Sequence, residues 1–312
     1  MTEFKNRVFG CAVVKAINSN YNADFSGQPR TLPSGVVYAT DKALKYTVKN
    51  YIKNVYPLER IFYFKSLNEN MNPISLNECY KKFFGDFPKK KGKDDTTKKE
   101  VARNLLSCLD IRLFGATFAG ETNISLHGPV QVNHGVNIWP ENNIYSEQIT
   151  SPFSNKADNK TDEKEMTTIG RQSKLEEGHY LHHFSVNPQN LRDMVALSGE
   201  GTQTLSLEDI EKLKEAMRRG VTWYDSASKA GCENEMLVWI QLKEESKAVF
   251  PNLTSLVELL TEKEDGKYVY DFSKLSNRLL LLKNDVETIE IYYSKESVLL
   301  KNIPEGTKER EL

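Results

Sequence analysis

The chain has 312 residues, of which 39% are hydrophobic and 10% aromatic, enough for a sizeable core in one elaborated domain or two modest ones. Its 42 basic residues nearly balance its 43 acidic ones, so any attraction to a polyanion has to come from local clusters of charge. The cysteines are far apart, the first residues form no apolar signal, and no run is apolar enough to cross a membrane; this predicts a cytoplasmic protein with free buried thiols and no membrane partner.

The first predicted element is a valine-rich strand, residues 7–17, with the sequence RVFGCAVVKAI. A polar loop follows, NSNYNADFSGQPRTLPSG, which is too long for a tight turn and rich in Asn, Ser, Gly and Pro. Long ordered loops often carry function, although a merely solvated excursion explains this one equally well.

A helix is predicted to begin after Thr40, because Leu44, Val48 and Ile52 recur at helical spacing behind a capping residue. A second face of this helix carries a stripe of lysines at intervals of three and four, namely Lys42, Lys45, Lys49 and Lys53. Apart from Asp41 the helix offers them no acidic partner. The stripe is either a solvated face or a surface that neutralises a phosphate backbone.

Residues 59–66, ERIFYFKS, predict a second strand. Residues 67–103 then change character and include the charged stretch PKKKGKDDTTKKE, which predicts an exposed, mobile insertion. Residues 110–131 alternate apolar residues with glycine and proline, which predicts two short strands in a hairpin. Arg112 in this stretch needs an anionic partner, either a carboxylate such as Asp110 or an external ligand.

Residues 139–178 form a second irregular stretch that predicts another insertion, and the strand HYLHHFSVNP follows it. Residues 206–220 predict a helix with Ser206 as cap, Asp209 at the reciprocal capping position and Gly220 as its end. The sequence EMLVWIQLK predicts a buried central strand. From residue 244 short apolar segments alternate with charge, and the tail PEGTKEREL is predicted to be disordered.

This order of elements favours an α+β fold: an antiparallel sheet with helices on one face, in the split β-α-β arrangement of the ferredoxin-like and RRM class. The segment RLFGATF matches the first RNA-binding signature of RRM domains only in part, because Leu113 replaces its glycine and Ala116 and Ala119 replace its stacking aromatics. The segment supports that type of sheet without showing base stacking.

Catalytic and metal signatures are absent from the sequence. HYLHH places three histidines within five residues, but His182 and His183 would point to opposite faces of a strand and no cysteine or carboxylate pair stands at ligand spacing. No GxSxG, Walker, HExxH or GxGxxG motif occurs. The sequence therefore predicts no metal, no cofactor and no enzymatic activity.

Five segments in register resemble the backbone subunits of type I CRISPR effector complexes (Cascade), most closely the subtype I-B branch of the RAMP superfamily. The segments are NSNYNADFSGQPR, TDKALKYTVKNYI, DIRLFGATF, GPVQV and SKAGCENEMLVWI, and together they span about three-quarters of the chain. The resemblance implies a non-catalytic subunit that binds CRISPR guide RNA. It further implies head-to-tail copies along one guide, contacts with other Cascade subunits, and access to target DNA by way of the guide bases.

The resemblance also implies a division of the chain and a set of RNA-binding residues. An RRM-like palm would comprise residues 6–66, 104–138 and 179–243, with a finger-like insertion at 67–103, a thumb-like insertion at 139–178 and an appendage at 244–312. The family helix that holds guide phosphates often carries an arginine where this chain has Tyr46, so the resemblance implies either a weaker contact there or one made by stacking. The expected RNA-binding residues are Asn18, Asn20, Arg30, Thr40, Lys42, Lys45, Lys49, Arg112, Gly128, Gln131, Arg171, Lys229 and Gly231.

Two alternative functions stay open at this level. Related backbone subunits of type III complexes cut RNA with an acidic thumb residue, for which Asp158, Asp162 and Glu163 are candidates here. Composition alone also fits a general single-strand RNA-binding protein.

Overall fold

The central strand β1 (Val8–Ser19) organises the fold, which is described from a computed structural model covering residues 2–89, 97–154 and 166–312. Every residue from Val8 to Ala16 in this strand is buried, as expected for a strand covered on both faces. The strand predicted at residues 7–17 is therefore confirmed. None of the helices in the described part of the chain is long and apolar enough to span a bilayer.

Mixed α/β structure fills the rest of the described chain. The helices are α1 Asp41–Val55, α2 Leu76–Phe84, α3 Thr97–Leu106, α4 Leu109–Phe114, α5 Arg192–Ser198, α6 Leu207–Trp223 and α7 Ser273–Leu280. The strands after β1 are β2 Tyr38–Ala39, β3 Gly115–Ala119, β4 Asn123–His127, β5 Val130–Val132, β6 Gly135–Asn137, β7 Ile144–Ser154, β8 Met166–Val186, β9 Cys232–Leu242, β10 Glu258–Leu259, β11 Tyr268–Asp271, β12 Val286–Tyr293, β13 Val298–Lys301 and β14 Thr307–Arg310. Two short 3₁₀ turns lie at Pro188–Leu191 and Leu253–Ser255.

The large sheet runs in the order β14-β12-β9-β1-β8-β6-β2, with β5 and β7 also paired to β8. Strand β1 is antiparallel to both of its neighbours, pairing Val14 with Tyr180 of β8 and Leu237 of β9 with Ala12. The sheet is mixed because β14 joins β12 in parallel. The predicted strand at HYLHHFSVNP forms the end of β8 up to Val186, and EMLVWIQLK forms the end of β9 up to Leu242.

Helices α1 and α6 pack side by side on one face of this sheet. Leu44, Val48 and Ile52 of α1 and Leu213 and Met217 of α6 share one buried cluster with Val14, Phe184 and Trp239 of the strands. The capping box of Ser206 and Asp209 opens α6 as predicted. Gly220 does not end the helix, which continues to Trp223. A Cβ at Gly220 would lie 2.9 Å from the carbonyl oxygen of Thr47, so glycine is needed there for close packing of the two helices.

The opposite face of the sheet is covered by the C-terminal residues. Phe9, Cys11 and Val13 of β1 pack there against residues such as Phe250, Tyr270 and Leu275. The prediction of helices on one face of the sheet is correct for α1 and α6 but incomplete. The other face is covered by α7 and the small sheet β10-β11-β13. The prediction that the tail PEGTKEREL is disordered is wrong in part, because Thr307–Arg310 forms β14 at the edge of the large sheet.

A separate aromatic cluster lies beyond α1. It joins α2 and α3 to the hairpin of β3 and β4 through buried residues that include Phe62, Tyr80, Phe87 and Phe118. Residues 67–89 and 97–103, predicted as a mobile insertion, therefore contain two packed helices. Residues 90–96 of the lysine-rich stretch lie outside the described residues.

Three further predictions about local structure are corrected. Residues 59–66 form no strand, because the backbone N–H groups of Phe62 and Tyr63 donate to the carboxylate of Asp110, each at 2.8 Å. The hairpin predicted over residues 110–131 begins only at Gly115, since Leu109–Phe114 is helical. Residues 139–178, predicted as irregular, contribute β7 and much of β8, which pair as a long antiparallel arm.

Candidate nucleic-acid interface

The first turns of α1 lie against the ordered loop that follows β1. Asn22 of this loop fixes the start of the helix, because its Oδ1 accepts from both the backbone N–H and the hydroxyl of Thr40, at 2.9 and 3.0 Å. Thr40 occupies the N-cap position without capping through its own side chain. The loop thereby sets where Lys42 stands.

The lysines of α1 are not equivalent, which corrects the prediction of an unpaired stripe. Lys45 donates to Asp41 at 3.0 Å, and Lys49 donates to the carbonyl oxygen of Tyr63 at 2.7 Å. Burial lowers the pKa of Lys49. Lys53 lies 4.5 Å above the ring of Phe64. Lys42 is exposed and is the lysine best placed to meet an external anion.

A cleft of about 560 Å³ opens where this loop, α1 and the end of α6 meet. We call it the α1 cleft. Its lining combines three cations, Arg30, Lys42 and Lys229, with aromatic side chains and with polar Asn22, Thr40 and Thr47. The aromatic lining residues are Tyr21, Phe25, Tyr46 and Tyr224.

Lys229 is held in the wall of the α1 cleft by backbone oxygens. Its ammonium donates to the carbonyl oxygens of Asn20 and Tyr21, and burial lowers its pKa. The turn that carries it, SKAG, ends at Gly231, where a Cβ would lie 1.9 Å from the carbonyl oxygen of Ile17. Gly231 is therefore required for packing against β1, and the turn sets the position of Lys229.

A second cleft of about 270 Å³ continues on the other side of Lys42. Its lining includes Lys45, Lys49, the carboxylates Asp41 and Asp110, Tyr63 and the chain from Phe114 to Thr117. Because Lys42 lines both clefts, they adjoin along α1, and we call the two together the α1 groove. Within the described residues, its lining carries five cations, Arg30, Lys42, Lys45, Lys49 and Lys229, against the two carboxylates Asp41 and Asp110. Strands of nucleic acid bind such grooves through their phosphates.

Aromatic residues line the α1 groove as densely as cations do. Tyr46 stacks on Phe64 with ring centroids 5.1 Å apart and meets Tyr224 edge-on at 5.2 Å. Burial, together with a hydrogen bond to Tyr224, raises the pKa of Tyr46 to about 12, so its ring is uncharged near neutral pH. The sequence indicated Tyr46 through its departure from the family helix. Sequence reasoning missed Phe25 and Tyr224, although an aromatic residue inside an otherwise polar loop was a usable signal.

Arg112 does not face the α1 groove. Its guanidinium is buried and donates to both carboxylate oxygens of Asp209, at 3.0 and 2.9 Å, and to the carbonyl oxygen of Leu106 and the side chain of Gln203. Asp110 was predicted as the anionic partner of Arg112, but the partner is Asp209. Because the guanidinium of Arg112 is hydrogen-bonded to groups within the protein, we assign it a structural role and not one in RNA binding.

Asn20 is also internal, and its amide donates to the carbonyl oxygens of Gly27 and Ser173. Asn18 is exposed and accepts from the hydroxyl of Tyr145 on the arm. Asn20 thus ties the loop after β1 to itself and to β8, while Asn18 joins the end of β1 to β7. The bonds of both asparagines lie within the protein.

Gly128 lies at the turn before β5, and Gln131 lies within that strand. A Cβ at Gly128 would lie 2.0 Å from the carbonyl carbon of Phe114, and the Gln131 side chain donates to the Gly128 carbonyl oxygen at 2.8 Å. Arg171 is exposed on the arm, where it pairs in register with Gln148. None of these three residues lines the α1 groove.

Histidines do not form a metal site within the described residues, where no group of three or more His, Cys, Asp or Glu side chains is arranged to hold a metal ion. His179 is buried and lies 2.6 Å from Glu235, which also accepts from the hydroxyl of Tyr270 at 2.6 Å. This network joins the large sheet to the C-terminal residues. All four cysteines are buried and free, as predicted.

Comparisons with known proteins place this geometry in context. Residues 6–277 match the family model described as CRISPR-associated protein Cas7. The chain is similar to a solved "CRISPR RNA-guided surveillance complex" chain at 14% identity and a TM-score of 0.53, covering 97% of this chain and 94% of that one. It is similar to a chain of a "CRISPR RNA-guided surveillance complex, pre-nicking" at 12% identity and a TM-score of 0.55, covering 98% and 96%. Comparison with curated proteins gives no match.

Proposed function

The chain belongs to the CRISPR-associated Cas7 family, and from this we propose that it is a CRISPR RNA-binding backbone subunit of a Cascade-type surveillance complex. The observation that carries the proposal is the α1 groove, whose lining brings Arg30, Lys42 and Lys45 together with aromatic side chains that include Tyr46. Cations bind the phosphates of a single strand and aromatic faces bind its bases, whatever the sequence.

A near-neutral chain can bind RNA in this way because the charge is local. The formal net charge is only -1, so long-range attraction contributes little and binding depends on the groove itself. Recognition through the backbone leaves the Watson–Crick edges of the guide bases free. Those bases can then pair with target DNA, which we propose as the indirect partner of this subunit.

We propose that the centre of the large sheet is an RRM-like palm. In support, β9, β1, β8 and β6 are adjacent and antiparallel, α1 connects β1 towards β6, and α6 connects β8 to β9. This is the connectivity of a β-α-β-β-α-β unit. In this proposal the arm of β7 and β8 corresponds to the thumb.

Copies of the subunit are proposed to line up head to tail along one guide RNA. A subunit that reads the backbone gains affinity mainly by binding repeatedly along the same strand. Copies related by one repeated rotation and translation use two different, complementary surfaces and form an open helix. Other Cascade subunits would bind at the two ends of this helix, and the five sequence segments favour the I-B subtype.

The subunit is proposed to be a scaffold and not a nuclease. The candidate acidic residues of the nuclease alternative, Asp158, Asp162 and Glu163, lie outside the described residues. Incubating the assembled protein with complementary RNA and Mg²⁺ separates the two functions, since the scaffold leaves that RNA intact.

The test of the scaffold is the mass of complexes formed on guide RNAs of graded length. Purified protein should carry RNA of one discrete length, and reconstituted complexes should grow in whole-subunit steps as the guide is lengthened. A closed ring or a dimer whose mass ignores guide length contradicts the proposal. A smear of copurifying RNA lengths would favour a general single-strand RNA-binding protein.

A further inference from the structure

Phe25 is fully exposed at the tip of the turn that follows β1, and it lines the α1 cleft. Its turn is closed by an antiparallel bridge between Ala23 and Pro29. The backbone N–H of Asp24 also donates to the carbonyl oxygen of Gln28 at 2.7 Å. A phenylalanine in this position makes little use of its apolar ring within the subunit itself.

The turn that carries Phe25 is built to hold its shape. The carboxylate of Asp24 accepts from the hydroxyl and the backbone N–H of Ser26, each at 2.8 Å, and from the N–H of Gln28 at 3.0 Å. The hydrogen bond from the Ser26 side chain holds the pKa of Asp24 below its usual value. Gly27 closes the turn at φ +82°. The ring is therefore exposed on a rigid support.

A cation lies beside the ring of Phe25, and a second lines the same cleft. The guanidinium of Arg30 is 5.9 Å from its centroid, and the Arg30 Nε donates to the carbonyl oxygen of Ala23, which fixes this side chain to the same turn. Lys42 lines the same cleft. An exposed aromatic face with one cation against it and a second cation in the same cleft matches a nucleotide, whose base stacks and whose phosphate carries the negative charge.

We propose that Phe25 is a base-stacking site of the α1 cleft, where it takes up the face of an unpaired nucleobase while Arg30 and Lys42 neutralise the neighbouring phosphates. The inference rests on the proposed RNA-binding function and adds a contact to the bases. Stacking releases no counterions, so it contributes affinity that does not vary with salt, unlike a phosphate contact. Every base has a stacking face, so the contact is tolerant of sequence.

The experiment compares Phe25→Leu with Phe25→Tyr in the full-length protein. Leucine keeps an apolar side chain but removes the aromatic face, whereas tyrosine retains it. Binding of each variant to a short single-stranded RNA containing 2-aminopurine is measured at several salt concentrations, with thermal unfolding as the control for folding. We expect Phe25→Leu to weaken binding on the order of 10-fold, at an unchanged slope of log affinity against log salt, and to abolish base-dependent quenching. Phe25→Tyr should bind like the unaltered protein.

Each other result overturns the inference. Equal affinity of the leucine variant excludes stacking, and a reduced salt slope shows that Phe25 acts by positioning Arg30. Normal binding of one subunit to short RNA, together with failure to grow on long RNA, shows that the ring contacts another protein subunit. If the unaltered protein binds no RNA at all, the proposed function fails together with the stacking site. If the unaltered protein binds RNA and the leucine variant binds it equally well, only the stacking site fails.

Discussion

The guanidinium of Arg112 and the carboxylate of Asp209 form a two-bonded ion pair in the interior, although the residues lie 97 positions apart in the chain. Arg112 belongs to α4 and Asp209 to the first turn of α6, and the Asp209 carboxylate also accepts from the backbone N–H of Ser206. One side chain therefore caps a helix and joins it to a second one.

Replacing Arg112 with methionine should destabilise the protein without weakening RNA binding by the folded molecules. The substitution leaves the Asp209 charge buried without its partner, which costs about 3–5 kcal/mol of unfolding free energy. Chemical denaturation measures this loss, and RNA titration at a temperature where the variant is folded measures binding. Unchanged stability combined with loss of RNA affinity would return Arg112 to the binding surface.

The sequence predicted those elements whose stability comes from their own pattern. Strand β1 was predictable from its valines and α6 from its capping box, because both signals lie within a few neighbouring residues. Residues 59–66 were predicted wrongly because their hydrogen-bond partner, Asp110, is remote in sequence. Tertiary contacts of this kind override local propensity.

The candidate site was predictable in the same limited way. Lys42 and Tyr46 followed from helical spacing and from comparison with the family helix, and both line the α1 cleft. The partner of Lys49 could not be predicted from the sequence, because the Tyr63 carbonyl oxygen is brought to the helix only by folding. The arm was missed because β7 and the first half of β8 are both rich in polar residues, so neither shows a clear apolar alternation.

Substitutions of the lysines of α1 should affect different properties, RNA binding for Lys42 and stability for Lys49. Lys42→Gln is expected to weaken RNA binding and to lower the salt slope by about 0.7–0.9, because one phosphate contact is lost, with unfolding free energy unchanged within about 0.5 kcal/mol. Lys49→Gln should lower stability by about 1 kcal/mol, since it removes the hydrogen bond to Tyr63. Lys53→Gln, at the far end of the helix, is the matched control. Equal salt slopes for all three variants would contradict the assignment of the groove.

Gly231→Ala should act on folding before it acts on RNA. The new Cβ would lie 1.9 Å from the Ile17 carbonyl oxygen, so either β1 or the turn holding Lys229 has to move. We expect a loss of about 1–3 kcal/mol, as for other overpacked sites. Gly35→Ala is an informative control, because a Cβ there meets no atom within 4 Å and the cost arises only from its φ of +86°. Unchanged stability of Gly231→Ala would show that the close approach is not needed.

His182 should make stability depend on pH below neutrality. Burial lowers its pKa from the usual 6.5 to about 4, although Asn133 and Asp41 act in the opposite direction. Between these two values the unfolded chain binds a proton that the folded protein excludes, so stability rises with pH across this window and falls as the solution is acidified. The full difference is about 3 kcal/mol.

A His182→Gln variant tests this dependence. Glutamine cannot take up the proton, so its stability should fall less than that of the unaltered protein between pH 6.5 and pH 4.5, when both are measured by denaturant unfolding. His127→Gln serves as control, because His127 is exposed on β4. Parallel stability curves for the His182 variant and the unaltered protein would assign the acid sensitivity to other groups.

The arm offers the clearest separation of folding from assembly. Ile149 of β7 pairs with Gly170 of β8, and the pairs from Ile144 with Leu175 to Gln148 with Arg171 tie the base of the arm to the large sheet. Joining Ile149 directly to Gly170 through an Asn-Gly turn keeps these pairs and removes residues 150–169. The shortening is thus defined by strand pairs that the structure shows.

The shortened protein should fold and bind a short RNA normally, because the α1 groove contains no residue from the part removed. On long guides it should fail to form regular arrays, since the arm is proposed to reach along the RNA to the next subunit. Thermal unfolding, short-RNA titration and the mass of complexes on graded guides measure the three properties separately. A control that keeps the arm's full length but changes Arg171 to Gln tests whether that exposed cation contributes. Regular arrays of normal length formed by the shortened protein would exclude the arm from the subunit interface, while leaving RNA binding in the groove intact.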